Sequence, residues 1–289
     1  MSRTIAGVMN WGQWGAALST EELSALITSL VENGITSIDH ADIYGGFTTE
    51  KEWGAGWKHA GIPRDKVQII SKCGICFPTE ERPNYYNKHY NYSYDHIVTS
   101  AKRSVENLQC DYLDLLLLHR PSPLMNPEEI SRAFHFLQEE GLVRKLGVSN
   151  FTVSQMDLLR KHVPISANQI ELSLTHIDPF HDGVVDYCYQ HGIEVQAWSP
   201  LSGGKLFAES SDYEWVTTRA RLKEVADKYG WGLDTLSYVF LLHHPAGIKP
   251  VVGSSKIERV LTCKRAEEIK ITDAQWFEIW EASQGQEVP

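Results

Sequence analysis

Eight short apolar runs, each followed by a stretch of helical periodicity, recur through one chain of 289 residues. They predict the α/β class: a (β/α)8 TIM barrel with additional C-terminal helices, forming one domain over residues 1–289. Two further observations support this. Residues 112–118 (Tyr-Leu-Asp-Leu-Leu-Leu-Leu) are almost wholly apolar, as a strand buried on both faces of a parallel sheet must be. An open doubly wound sheet would instead carry a Gly-x-Gly-x-x-Gly turn after an early strand, and Ala6-Gly7-Val8 does not supply one. No Pro-, Ser- or Gly-rich linker divides the chain.

Taken in order, residues 5–9 read as the first strand, and Thr20-Glu21-Glu22 opens an amphipathic helix that Gly34 ends. Residues 36–40 form the second strand, followed by a helix through 51–59. Residues 67–71 form the third; a long Tyr-rich segment then leads to a helix over 94–108. After the 112–118 strand, Asn126-Pro127-Glu128-Glu129 starts a helix. Asn126 is suited to cap it, and Pro127 sits where a missing N–H costs little. Strands at 145–148, 165–169 and 193–198 alternate with helices near 153–161, 184–191 and 217–229. An extra helix over 233–243 precedes the eighth strand at 247–252, and another over 273–283 closes the chain.

The formal net charge of −10 opposes non-specific attraction to nucleic acid or anionic membrane. No apolar run approaches the roughly 20 residues that span a bilayer. Met1-Ser2-Arg3-Thr4 lacks the apolar stretch of a secretory signal, so a cytoplasmic protein is expected. Cys73 and Cys76 form a Cys-x-x-Cys pair without a second pair or a His pair nearby. The expectation is therefore no metal and a plain pair of loop thiols, with an oxidation-sensitive role left open.

Chemistry in such a barrel sits at the carboxyl ends of the strands. Those ends supply Asp39, with Tyr44 just beyond, then Lys72, His119, Ser149-Asn150, Asn168-Gln169 and Trp198-Ser199. Each alone reads as packing, capping or a solvated strand end. Jointly, four of them make a proton-transfer device. A Tyr hydroxyl, with an ordinary pKa of about 10, is a poor acid near neutrality. A neighbouring Lys72 ammonium would lower that value, Asp39 would hold Lys72 charged, and His119 would orient and polarise a carbonyl oxygen.

The segment Ser37-Ile38-Asp39-His40-Ala41-Asp42-Ile43-Tyr44-Gly45 resembles the aldo-keto reductase signature, in which an Asp and a Tyr stand five apart. Ile70-Ser71-Lys72, Asp114 to His119, Gly147-Val148-Ser149-Asn150-Phe151, Asn168-Gln169 and Trp198-Ser199-Pro200-Leu201 follow in the order of that superfamily's bacterial oxidoreductase-like branch. The resemblance runs from Gly7 to Ala282-Ser283-Gln284-Gly285. It implies that Asp39, Tyr44, Lys72 and His119 are a catalytic tetrad, with Tyr44 the general acid in carbonyl reduction. It also implies that Ser149, Asn150 and Gln169 hold a nicotinamide carboxamide and that Trp198 stacks on the ring. Ser199, Pro200 and Leu201 would lead past the pyrophosphate, and Gly7, Val8 and Met9 resemble the segment lining the cofactor and substrate cavity.

Gly253, Ser254, Ser255, Lys256 and Arg259 resemble the segment that binds an adenosine 2′-phosphate, which suits the basic, hydroxyl-rich start of a helix and implies NADP(H). Two departures stand out: Gly253 replaces a frequent Lys, and Thr262-Cys263 replaces a frequent Glu-Asn. Trp11, directly after the first strand, is expected to touch substrate with Tyr44 and His119. Arg120 follows His119 where many members carry Trp; it either draws an acidic substrate or, as expected here, makes a structural ion pair. The aromatic residues between Cys73 and Tyr94 either wall the pocket or pack their loop. The activity implied is NADPH-dependent reduction of a small-molecule aldehyde or ketone by a monomer. An alcohol or sugar dehydrogenase running in reverse and a cofactor-sensing subunit are the competing readings.

Overall fold

The computed structural model describes residues 2–209 and 212–288; Met1, Ser210, Ser211 and Pro289, which the predicted domain over 1–289 includes, lie outside them. Eight parallel strands close into a barrel: β1 (Ile5–Gly7), β2 (Ser37–Asp39), β3 (Gln68–Cys73), β6 (Leu115–Leu118), β7 (Leu146–Ser149), β8 (Ala167–Glu171), β9 (Glu194–Trp198) and β10 (Lys249–Val252). Each pairs with the next in the chain, and β10 returns to β1 through the registers Ile5↔Val251 and Ala6↔Val252. Closure leaves no sheet edge to protect.

Around the strands run α1 (Thr20–Glu32), α2 (Thr49–Ala60), α3 (Tyr94–Asn107), α4 (Pro127–Glu139), α5 (Val153–Arg160), α6 (Val184–Gln190), α7 (Tyr213–Tyr229), α8 (Leu233–His243), α9 (Ile257–Ala266) and α10 (Asp273–Gln284). Several starts are written locally. Ser19 and Glu22 form a reciprocal capping box on α1, as Thr272 and Gln275 do on α10. Asn126 Oδ1 accepts the Glu128 amide at 3.0 Å, with Pro127 in the first turn of α4. The helix α8 is buried on nearly all sides, and Phe240 stacks on Trp276 of α10 at 4.7 Å.

The predicted strands are present but most are trimmed, the fourth among them. Residues 112–114 lie outside the regular strand: Leu113 keeps only an isolated parallel bridge to Val143, while Asp114 Oδ2 accepts the Ile69 amide at 2.9 Å and pairs with Arg64 at 2.7 Å. The Tyr-rich segment holds an unpredicted antiparallel pair, β4 (Ile75–Cys76) with β5 (His89–Tyr90). Its aromatics mainly pack: Phe77 and Tyr85 lie against Phe47, Tyr94 against Phe136, and Tyr92 is buried, while Tyr86 is exposed.

Alternation along the strands positions the site. Ile5, Ile70, Leu115, Leu117, Ala167 and Val251 form their own cluster, the filling of the barrel. Two residues further along their strands lie Gly7, Lys72, His119 and Gln169, so the same inward face turns polar at the carboxyl end. Gly147 gives this filling room: a Cβ there would meet Leu117 Cδ2 at 2.5 Å and the Ala167 carbonyl at 2.8 Å.

Candidate active site

Lys72 projects from β3 at 1% exposure and spends its ammonium on groups from two neighbouring segments. It donates to Asp39 Oδ1 at 2.8 Å and Oδ2 at 2.7 Å, to the His40 carbonyl at 2.7 Å, and to Tyr44 Oη at 3.1 Å. Gln169 Nε2 donates to Asp39 Oδ1 at 2.9 Å and to Gln196 Oε1 at 3.0 Å, tying the opposite wall to the same carboxylate. A buried ion pair stands only when its remaining donors and acceptors are satisfied, and this one is. Burial works to lower the Lys72 pKa, but Asp39 and Tyr44 outweigh it and hold the ammonium above its ordinary value.

Tyr44 departs from expectation. Burial raises its pKa, Lys72 opposes that and Asp39 adds to it, with a net upward shift. The loss of hydration exceeds the pull of an ammonium that Asp39 already neutralises. Tyr44 is therefore protonated near neutrality, and because Lys72 donates into its oxygen, its own O–H is free for another acceptor. A short 3-10 turn, Tyr44–Gly46, presents it, and Asp42 N–H anchors the loop to the Lys72 carbonyl at 3.0 Å.

His119 lies edge-on to Tyr44, with ring centroids 6.2 Å apart. Burial, with the charges of Lys72, Arg120 and Lys88, holds its pKa well below 6.5, so the ring is neutral. Its Nδ1 is buried without a partner among the described residues. Trp14, in the β1–α1 loop, has its ring 6.2 Å from that of Tyr44 and is 46% exposed. Sequence reasoning passed over Trp14 and Gln196; the Trp-x-x-Trp spacing after β1 was the signal for the first.

The predicted nicotinamide-side residues form one network. Ser149 Oγ donates to the Gln169 carbonyl at 2.9 Å, and Asn150, at φ 60°, donates from Nδ2 to Ser149 Oγ at 2.8 Å. Asn150 Oδ1 accepts the Trp198 indole N–H at 2.9 Å, fixing the ring at the end of β9. Ser199 (φ 51°), Pro200 and Leu201 turn into a 3-10 segment, Ser202–Phe207. Gly7 ends β1, the Val8 side chain joins the outer core, and Met9 is 43% exposed.

Around the start of α9, a Cβ on Gly253 would meet nothing within 4 Å. Ser254 Oγ accepts the Lys256 amide at 3.1 Å; Ser255 is half-buried, while Lys256 and Arg259 are exposed. The donor set fits a nicotinamide dinucleotide: amides and a hydroxyl at one end, cations and hydroxyls by a helix start at the other.

Three other expectations are corrected. Trp11 is fully buried and gives its indole N–H to the Ser254 carbonyl at 3.0 Å, so it props the β10–α9 loop and offers no surface to a substrate. Arg120 makes no ion pair among the described residues; its guanidinium lies 5.4 Å from the Trp198 ring centroid. Cys73 and Cys76 are not loop thiols: they lie buried in β3 and β4, and burial raises both thiols above their ordinary value. Among the described residues no cluster of His, Cys, Asp or Glu is suited to a metal, and no helix is long and apolar enough to cross a membrane.

A closed parallel barrel gathers Asp39, Tyr44, Lys72 and His119 at its carboxyl end, and the chain belongs to the aldo/keto reductase family, whose model matches residues 3–284. It is an oxidoreductase of that family, acting between carbonyl and alcohol groups with a nicotinamide cofactor. Among its relatives is YcsN, an uncharacterized oxidoreductase of Bacillus subtilis (strain 168), 42% identical over all of this chain and 96% of its own. A 6-dehydroglucose reductase of Agrobacterium fabrum is 36% identical, again over all of this chain and 96% of its own. A solved structure of the thermostable aldo-keto reductase Tm1743 with the inhibitor epalrestat matches with TM-score 0.80 at 26% identity, covering 98% of this chain and 95% of that one.

Proposed function

We propose that this chain is a cytoplasmic NADPH-dependent reductase that converts an aldehyde or ketone to an alcohol, with Tyr44 as proton donor. The observation that carries the reading is the hydrogen bond from Lys72 Nζ into Tyr44 Oη, made by an ammonium that Asp39 holds charged. It leaves the Tyr44 proton free to give away and places a positive charge 3.1 Å from the phenolate that would form. Neutral His119 supplies an N–H for the carbonyl oxygen, aligning the substrate for the same transfer. NADPH, when bound, supplies the hydride for the carbonyl carbon.

Ser149, Asn150 and Gln169 would hold its carboxamide. The Gln169 amide nitrogen is committed to Asp39 and Gln196, so its oxygen is the group that remains to accept. Trp198, locked by Asn150, would flank the ring; Gly7, Val8, Asp39 and the Ser199–Leu201 turn would line the path of the dinucleotide. Lys256 and Arg259, with Gly253, Ser254 and Ser255, would receive the 2′-phosphate. A reducing compartment is consistent with five cysteines that are all free thiols. The name of the Agrobacterium relative makes sugar carbonyls one class worth screening.

The test is NADPH oxidation over a panel of aldehydes, ketones and sugars, with Tyr44→Phe as the variant. Removing the hydroxyl should lower kcat about 10²–10⁴-fold while the Kd for NADPH, read by quenching of protein fluorescence, stays within about threefold. Undiminished turnover by the Phe variant would remove Tyr44 from the reaction.

A further inference from the structure

Arg120 stands directly after His119, and its backbone is clamped from both sides by one buried side chain. The Arg120 N–H donates to Tyr92 Oη at 3.0 Å, and the Tyr92 hydroxyl donates back to the Arg120 carbonyl at 2.6 Å. From this fixed base the half-buried guanidinium reaches toward Trp198, 5.4 Å from its ring centroid. Its charge is felt by both reacting groups, acting to lower the pKa of Tyr44 and of His119.

What it lacks is an acceptor. Arg64, Arg132 and Arg144 are each paired with a carboxylate, whereas Arg120 has no ion pair and no hydrogen bond from its guanidinium among the described residues. Lys88, exposed in the segment between β4 and β5, also acts on His119 and carries no ion pair among the described residues. The Lys72 charge is neutralised by Asp39, whereas Arg120, the next residue after His119, has no such carboxylate among the described residues, in a chain whose net charge is −10. A partly desolvated guanidinium with no partner gains most from a ligand that supplies two oxygens to its planar fork.

We propose that Arg120 is a specificity-determining residue that binds an acidic group on the substrate, so that the favoured substrates are aldehydes or ketones bearing a carboxylate, phosphate or similar oxyanion. This rests on the carbonyl-reductase reading above. It names the end of the substrate remote from the reacting carbon. Anchoring that end restricts how the carbonyl can approach Tyr44 and His119.

Paired substrates test it: 4-carboxybenzaldehyde against its methyl ester, and glyceraldehyde 3-phosphate against glyceraldehyde. The wild type should favour the acidic member of at least one pair by about 10–100-fold in kcat/KM, mostly through KM. The preference should shrink as ionic strength rises. Arg120→Met should bring the ratio close to one, and Arg120→Lys should restore part of it, since a point charge replaces the fork. A wild type without preference, an Arg120→Met ratio equal to the wild type's, or a loss shared equally by acidic and neutral members overturns the proposal. So does an Arg120→Met variant whose main defect is a raised Kd for NADPH, which would move Arg120 to the cofactor. If neutral members are still reduced and Tyr44→Phe still abolishes that reduction, only the specificity claim falls. Turnover of no member of either pair removes the reductase reading together with it.

Discussion

Arg259 lies on the exposed side of α9 with no ion pair among the described residues, one turn from the Ser254–Lys256 contact. A guanidinium so placed is costless in water and gains only when a dianion arrives. Replacing it with Ala should weaken NADPH by about 10–100-fold and NADH by less than about threefold, measured as the two Kd values. Equal losses would refute a role in reading the 2′-phosphate. At this scale the gathering of Asp39, Lys72 and His119 was legible, because each ends an apolar run and the barrel brings such ends together. The balance of forces on them was not. The sign of the Tyr44 shift depends on how completely water is excluded and on how far Asp39 cancels Lys72, and neither is written in spacing. Trp11 misled for a similar reason: an aromatic after the first strand looks like a pocket wall until its N–H is seen bonded to Ser254.

The helices were the most legible elements, since their starts carry capping residues and their faces a clear period; α8 follows its predicted bounds exactly as residues 233–243. The β4–β5 pair escaped notice because two residues per strand are too few to show alternation. Contacts between elements left even less trace. Gly54 looks like a flaw in α2, yet a Cβ there would sit 2.2 Å from the Asn107 carbonyl and 3.0 Å from the Leu108 carbonyl carbon, where α3 ends. In an unconstrained helix Gly→Ala would stabilise by about 1 kcal/mol. Here backbone would have to yield, so Gly54→Ala should instead destabilise by about 1–3 kcal/mol. The measurement is the urea midpoint at an unchanged m-value; a higher midpoint would show that α2 and α3 can part freely.

The barrel makes the burial of the site a matter for the whole molecule. The β1–β10 pairing closes it, and Thr4 Oγ1 reaches Glu267 at 2.6 Å while Arg3 reaches the Leu242 carbonyl at 2.7 Å, so the first residues are tied to the last helices. Groups sealed within such a frame exchange protons with water chiefly when the frame opens. His40, edge-on to Trp53 at 4.6 Å, is fully buried with neither ring nitrogen partnered among the described residues, and burial with the Lys72 charge holds its pKa well below 6.5. A histidine depressed in the folded state stabilises above its unfolded pKa, and that stability is lost as pH falls below 6.5, because the unfolded chain then binds the proton first. Asp42 and Glu50 act in the opposite sense. Burial raises both, so their contribution is complete below 3.8 and 4.5 respectively and is lost as pH climbs toward their folded values. The two sets partly cancel in the wild type, which is why a difference between variants is the sharper measurement. His40→Phe keeps a ring against Trp53 and removes the titration, so relative to wild type it should gain about 1.4 kcal/mol between about pH 7.5 and about pH 5.5. Denaturant midpoints across that range read the change directly, and parallel curves for the two proteins would mean that folded His40 takes up a proton as readily as the unfolded chain.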